Sequence, residues 1–188
     1  MPNIELWFPV PIYVENNLFD KKQNKEWANH ILSLKDSCVD VNNIWVGSTI
    51  SSIQTNRMLD EKFDPLIEVV TSHVEKFAEY HQSYAKYECK NSWFNINYKN
   101  TFQEFHCHVN NIFSAVYYVS APKGSSNIIF EDPKEPDMFS VKESIGLPNR
   151  ASYEAEEGKL IIFRSYLRHC VTQHKSNLPR ISISFNFS

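Results

Sequence analysis

His106 and His108 stand on either side of Cys107, and His169 and His174 follow after a stretch long enough for several strands, so four of the seven histidines fall in two clusters. On an extended backbone residues i and i+2 point the same way, so the imidazoles at 106 and 108 can reach one cation while Cys107 turns away. His169 follows a strand-like run, Leu160 to Phe163, and the turn between them can return a third imidazole to the same point. Three imidazoles suit zinc, iron, copper or nickel. A His-x-His pair alone is a weak signal; the support here is Arg180, eleven positions after His169. A guanidinium on the polar face of the last strand can take a carboxylate through two parallel charge-assisted hydrogen bonds, with the Ser182 hydroxyl on the same side. A metal with such an arginine beside it points to an anionic, chelating co-substrate.

Two carboxylates compete for a place in the ligand set. Glu104 lies two residues before His106 and shares its face on a regular strand; Asp132 follows the strand-like Ile128 to Phe130. The all-histidine set ranks ahead of either. Asn95 and Asn97 share a face with Trp93 and could hydrogen-bond a co-substrate or substrate, or equally pair within a sheet, while Trp93 could wall the pocket. Cys107 and Cys170 each adjoin a proposed ligand, so a thiolate zinc site is conceivable, although alternation turns Cys107 away. His174, in the polar run Thr172 to Asn177, reads as a solvated loop residue. His73 lies on an apolar helical stripe and reads as a packing residue.

The elements that must position these groups change character along the chain. Ile4 to Phe8 and Ile12 to Val14, broken by Pro9 and Pro11, suggest a short edge strand. Leu18 to Leu34 and about Pro65 to Tyr84 carry apolar residues at helical spacing, the second with Leu66, Val69, Val70, His73, Val74, Phe77 and Tyr80 in one stripe. From Cys89 the period becomes two: Trp93 to Tyr98, Ile112 to Ser120, Ile128 to Phe130, Leu160 to Phe163 and Arg180 to Phe187, bounded by turns such as Pro122-Lys-Gly124 and Glu157-Gly158. In the last run Ile181, Ile183, Phe185 and Phe187 face one way, and Arg180, Ser182, Ser184 and Asn186 the other. A surface strand has the same pattern with its polar side in water. If helices cover the greasy side, the polar side lines a barrel interior fit for a small anion.

Helices followed by strands imply an α+β domain whose C-terminal half is a double-sheet sandwich or jelly roll. We expect a single domain over 1–188, with 1–88 holding the N-terminal strand and helices and 89–188 the jelly-roll core. Composition agrees: 42% hydrophobic residues, 14% aromatic and only four glycines. A net charge of −3 gives no basic field for nucleic acid or an anionic membrane. No apolar run can span a bilayer and the start lacks a signal-peptide pattern, so a cytoplasmic protein with reduced cysteines is expected.

The ordered blocks His106-x-His108, Ser114-Ala-Val-Tyr-Tyr-Val119, Ile128-Ile-Phe-Glu-Asp-Pro133, Gly158-Lys-Leu-Ile-Ile-Phe163, His169 and Arg180-Ile-Ser-Ile-Ser-Phe-Asn-Phe187 resemble the 2-oxoglutarate- and Fe(II)-dependent oxygenases related to prolyl hydroxylases of bacteria and phages. The resemblance spans Trp93 to Phe187. It implies a double-stranded β-helix with Fe(II) at its open end, bound by His106 and His169. It further implies 2-oxoglutarate chelating the metal, its distal carboxylate on Arg180 and Ser182, with Tyr118, the second tyrosine of the Tyr-Tyr block, touching that carboxylate. With O2 the co-substrate becomes succinate and CO2 while an unactivated C–H bond of a small-molecule or peptidyl substrate is oxidised, hydroxylation being the default outcome. The sequence departs from the superfamily's usual His-x-Asp or His-x-Glu at position 108, where a third neutral ligand leaves the centre richer in positive charge. Two other readings use the same residues: a three-histidine cupin-like metalloenzyme without 2-oxoglutarate, and a non-enzymatic metal-binding module.

Overall fold

The structure, a computed structural model, describes residues 9–37, 39–40, 50–51, 59–134 and 149–188. The strand suggested at Ile4 to Phe8 and most of the proline-bearing loop between Lys134 and Arg150 lie outside the described residues. Among them, β1 (Tyr13–Glu15) precedes α1 (Lys21–Ser33), β2 (Val39–Asp40), β3 (Ile50–Ser51) and α2 (Asp64–Tyr80). Eight strands follow: β4 (Cys89–Asn97), β5 (Gln103–His106), β6 (Phe113–Ser120), β7 (Ile128–Glu131), β8 (Arg150–Tyr153), β9 (Leu160–Arg164), β10 (His169–Val171) and β11 (Arg180–Phe187). The described residues are thus mostly β-sheet with two α-helices. One sheet has the order β1-β9-β6-β11-β4-β3-β2 and the other β5-β10-β7-β8, with antiparallel pairing throughout. β1 takes the edge that its flanking prolines allow.

The helices start and stop for local reasons. Asp20 caps α1 by accepting the Gln23 N–H at 2.8 Å, and the buried face that follows is Asn24, Trp27 and Ile31. Pro65 sits in the first turn of α2, where its missing N–H costs nothing. The helix ends at Tyr80, short of the expected Tyr84, because Gln82 takes a left-handed φ of 57° and its N–H folds back onto Glu79 O. Tyr80 and Tyr84 are therefore exposed, not part of the stripe. His73 is buried and its Nδ1 lies 2.7 Å from the Tyr13 hydroxyl, the arrangement of a packing residue.

Two apolar clusters flank the larger sheet. On one side Trp27, Ile31, Leu66, Val70, Val74 and Phe77 share a cluster with Phe94, Ile96, Tyr117, Ile181, Ile183, Phe185 and Phe187. On the other Val116, Tyr118, Ile161 and Phe163 meet Ile128, Phe130 and Leu167. β6 is buried on both faces, which is why its sequence reads as a nearly unbroken apolar run. The Tyr117 hydroxyl donates to Asn24 Oδ1 at 2.6 Å, a buried polar tie between α1 and the sheet; burial raises its pKa and keeps it a donor. Gly158 (φ 81°) turns the chain into β9, and a Cβ there would lie 3.3 Å from Asn17 Cα.

Candidate active site

The site lies between the sheets, and strand register fixes its layout. β11 pairs Arg180 with Asn97, Ser182 with Asn95 and Ser184 with Trp93 on β4, and it pairs Ser182 with Tyr118 on β6. From the smaller sheet, His169 pairs with His106 on β5 and with Phe130 on β7. Trp93, Asn95, Gln103, His106, His108, Tyr118, His169, Arg180, Ser182 and Ser184 all line one narrow cavity between the sheets.

The three imidazoles converge: one ring nitrogen from each of His106, His108 and His169 lies within 4.8 Å of the others. Two rings are oriented by backbone. Nδ1 of His106 is 2.8 Å from Glu104 O and Nδ1 of His169 is 2.9 Å from Leu167 O. Those carbonyls can only accept, so Nδ1 carries the proton in each ring and the lone pair belongs to Nε2, the nitrogen that would bind a cation. His108 is placed by its backbone N–H to Ser165 O (2.9 Å) and by rings, with Trp93 at 5.8 Å and Phe163 at 6.5 Å between centroids. Burial lowers the pKa of all three, and neighbouring imidazoles add to the effect at His108 and His169. His108 falls to about 4 and His169 well below the ordinary value. Neutral imidazoles are what a metal requires.

Arg180 is 3% exposed and makes no ion pair among the described residues. Nη1 donates to Ser126 Oγ (3.0 Å) and more weakly to Ser126 O (3.4 Å), and Nη2 donates to Asn97 Oδ1 at 2.6 Å. Its Nε–H is buried without a partner. Of the five N–H donors of a guanidinium, three are engaged, which leaves Nε–H and one terminal N–H. A buried, unpaired cation with spare donors is costly unless an anion completes it. The Tyr118 ring lies 5.6 Å beneath the guanidinium, and neither the Tyr118 hydroxyl nor the Ser182 hydroxyl has a hydrogen-bond partner among the described residues. Asn95 Nδ2 contacts Ser184 Oγ at 3.3 Å.

The two carboxylate candidates are elsewhere. β5 and β10 slip register between His106 and Gln103: two β10 steps, His169 to Val171, match three on β5. This bulge turns Glu104 to the exposed side and brings Gln103 into the cavity, so the expectation that Glu104 shares the face of His106 fails for want of a regular strand. Asp132 accepts from the Lys134 N–H and lines a separate cavity with Val10, Ile12 and Leu167. Cys107 is exposed and Cys170 half-buried, and neither joins the histidine cluster.

His174 is a correction. The expected solvated loop residue is fully buried. Its backbone N–H donates to Thr101 O, its carbonyl accepts from the Asn100 N–H, and its Nε2 reaches Leu178 O, each at 2.8 Å. It staples the β4–β5 turn to the segment leading into Arg180. Ser126, which holds the arginine, and Gln103 were missed as well; nothing in their local sequence marks them, since a bulge and a turn bring them in.

Comparisons with known proteins accord with this geometry. A family described as "Putative 2OG-Fe(II) oxygenase" matches residues 91–186, and the chain belongs to it: it is a 2-oxoglutarate- and Fe(II)-dependent oxygenase that consumes O2. No curated protein sequence matches the chain. The fold is similar to that of a Pseudomonas putida prolyl-4-hydroxylase (TM-score 0.66, 13% identity, 95% of this chain and 92% of that one). It is similar to HygX from Streptomyces hygroscopicus with nickel and 2-oxoglutarate bound (0.71, 10%, 95% and 83%). It also resembles a viral collagen prolyl hydroxylase of Paramecium Bursaria Chlorella virus-1 (0.58, 9%, 94% of each chain). Among the described residues no helix is long and apolar enough to cross a membrane.

Proposed function

We propose that His106, His108 and His169 hold Fe(II), that Arg180 with Ser182 and Tyr118 takes the distal carboxylate of 2-oxoglutarate, and that the enzyme hydroxylates an unactivated C–H bond of a small-molecule or peptidyl substrate. We further read the two sheets as a double-stranded β-helix backed by the N-terminal helices, forming one domain over 1–188. The observation that carries the assignment is the pairing, in one cavity, of three converging imidazoles with a buried arginine that has no acidic partner among the described residues. Three neutral nitrogen donors fit a divalent cation, and the spare Nε–H and terminal N–H of Arg180 fit one carboxylate. When bound, Fe(II) and 2-oxoglutarate supply oxidation of the co-substrate by O2 to succinate and CO2, coupled to oxidation of the substrate.

The chain's own residues bind, orient and exclude water. Asn97 and Ser126 lock two edges of the guanidinium and so set the direction of the carboxylate it can accept. Phe130 and Phe163 pack against His169, with centroids 5.7 Å and 4.7 Å away, and keep that side of the site dry. The cavity is narrow, about 40 Å³, so an occupant the size of 2-oxoglutarate requires lining side chains to move. The test is Arg180→Ala: the variant should keep stoichiometric Fe(II) and lose 2-oxoglutarate binding together with succinate release. Unchanged succinate release would remove Arg180 from the site.

A further inference from the structure

The bulge in β5 does more than exclude Glu104. It selects Gln103 as the side chain that β5 presents to the cavity beside His106. Gln103 pairs with Val171, and Val171 pairs on its other side with Ile128. That layer is one inward step, about 6–7 Å along a strand, from the layer of His106, His169 and Phe130. Ser126, which holds Arg180, lies two residues before Ile128. Gln103 therefore flanks the path from the imidazoles to the guanidinium, which is the path a molecule bridging the two must occupy.

Tyr118 and Ile128 give the cavity largely apolar surface, whereas β4 and β5 give it amides. Asn97 is committed to Arg180 and Asn95 contacts Ser184. The Gln103 side chain is half-buried and has no hydrogen-bond partner among the described residues. An uncommitted amide facing a cavity is suited to a bound oxygen.

We propose that Gln103 is a co-substrate-binding residue whose amide N–H donates to an oxygen of 2-oxoglutarate between the metal and Arg180. The proposal rests on the 2-oxoglutarate reading above. An amide suits this place better than the carboxylate of Glu104 would, because it adds a donor for a dianion without adding negative charge beside it. The bulge thus sets which of two adjacent residues, one neutral and one acidic, meets the co-substrate.

The test compares wild type, Gln103→Met, which keeps the shape and removes the donor, and Gln103→Glu, which keeps the shape and adds charge. Fe(II) affinity is measured first, by anaerobic titration. 2-Oxoglutarate is then titrated into each Fe(II)-loaded protein without any primary substrate, following the visible charge-transfer absorption. Gln103→Met should bind 2-oxoglutarate about tenfold more weakly, the scale of one lost hydrogen bond to a charged acceptor. Gln103→Glu should be weaker still, with Fe(II) affinity and melting temperature unchanged in Gln103→Met. Wild-type 2-oxoglutarate affinity in Gln103→Met would overturn the proposal, as would a loss of Fe(II) affinity in that variant, which would make Gln103 a support of the metal centre. Failure of wild type itself to bind 2-oxoglutarate would instead sink the reading beneath it.

Discussion

Position 108 decides the charge of the proposed centre. With a carboxylate there the protein ligands would carry one negative charge; with His108, whose ring has no hydrogen bond of its own among the described residues, they carry none. If His108 is a ligand, His108→Ala should weaken Fe(II) binding by well over tenfold, while His108→Asp should restore it and alter the charge-transfer spectrum of the 2-oxoglutarate complex. Unaltered Fe(II) affinity in His108→Ala would remove it from the ligand set. The depressed pKa values make a second prediction. Each imidazole is harder to protonate when folded than when unfolded, so between about pH 6.5 and His108's value of about 4 the unfolded chain binds more protons. Stability of the metal-free protein is therefore fully present above about pH 6.5 and is lost as the pH falls through that window. Denaturant titrations at a series of pH values read this directly, and a flat profile from pH 7 to 4 would contradict it.

At the scale of elements, β11 shows what alternation can and cannot reveal. Ile181, Ile183, Phe185 and Phe187 all enter the helix-side cluster, and Arg180, Ser182 and Ser184 the cavity, as a strict period of two requires. Ile183→Ala should cost about 2–5 kcal/mol, the range for a buried aliphatic deletion, and leave Fe(II) binding intact in the folded fraction. Gly158→Ala should also destabilise, by about 1–2 kcal/mol, since it forces a left-handed alanine against Asn17; urea denaturation measures both. The same alternation misplaced Glu104, because a bulge depends on how β5 meets β10 and leaves no mark in β5 alone. His174 was equally illegible. Its polar neighbours describe a loop, but its burial comes from the β4–β5 turn folding over it, a contact between segments far apart in sequence. The His-x-His spacing and the polar face of the last strand were legible because each is a property of one short stretch of sequence. Ser126 and Gln103 were not, because each reaches the site through the path of the whole chain.

At the scale of the molecule, the larger sheet is shared property. On its outward face residues of α1 and α2 share its apolar cluster, its inward face lines the site, and β6 and β11 contribute residues to both. Tyr117 shows the coupling within a single dipeptide: it is tied to Asn24 on α1, while the adjacent Tyr118 lies beneath Arg180. Helices that cover a sheet in this way cannot leave without exposing the greasy side of the strands that carry the site, so helix and site should be lost in one transition. Trp27→Ala, which removes the ring packed at 6.3 Å from Tyr117 and the N–H bonded to Lys62 O, should lower stability by about 3–5 kcal/mol. Far-UV circular dichroism, which follows the helices, and the loss of Fe(II)–2-oxoglutarate absorption should then shift together in denaturant. Ligand binding should offset part of the loss, by about 2.7 kcal/mol at a hundredfold excess over Kd. If the helical signal moved to lower denaturant while the metal complex held its midpoint, the helices would be a dispensable cover and residues 89–188 an independent unit. The shared cluster predicts the opposite: the site should not outlast the helices behind it.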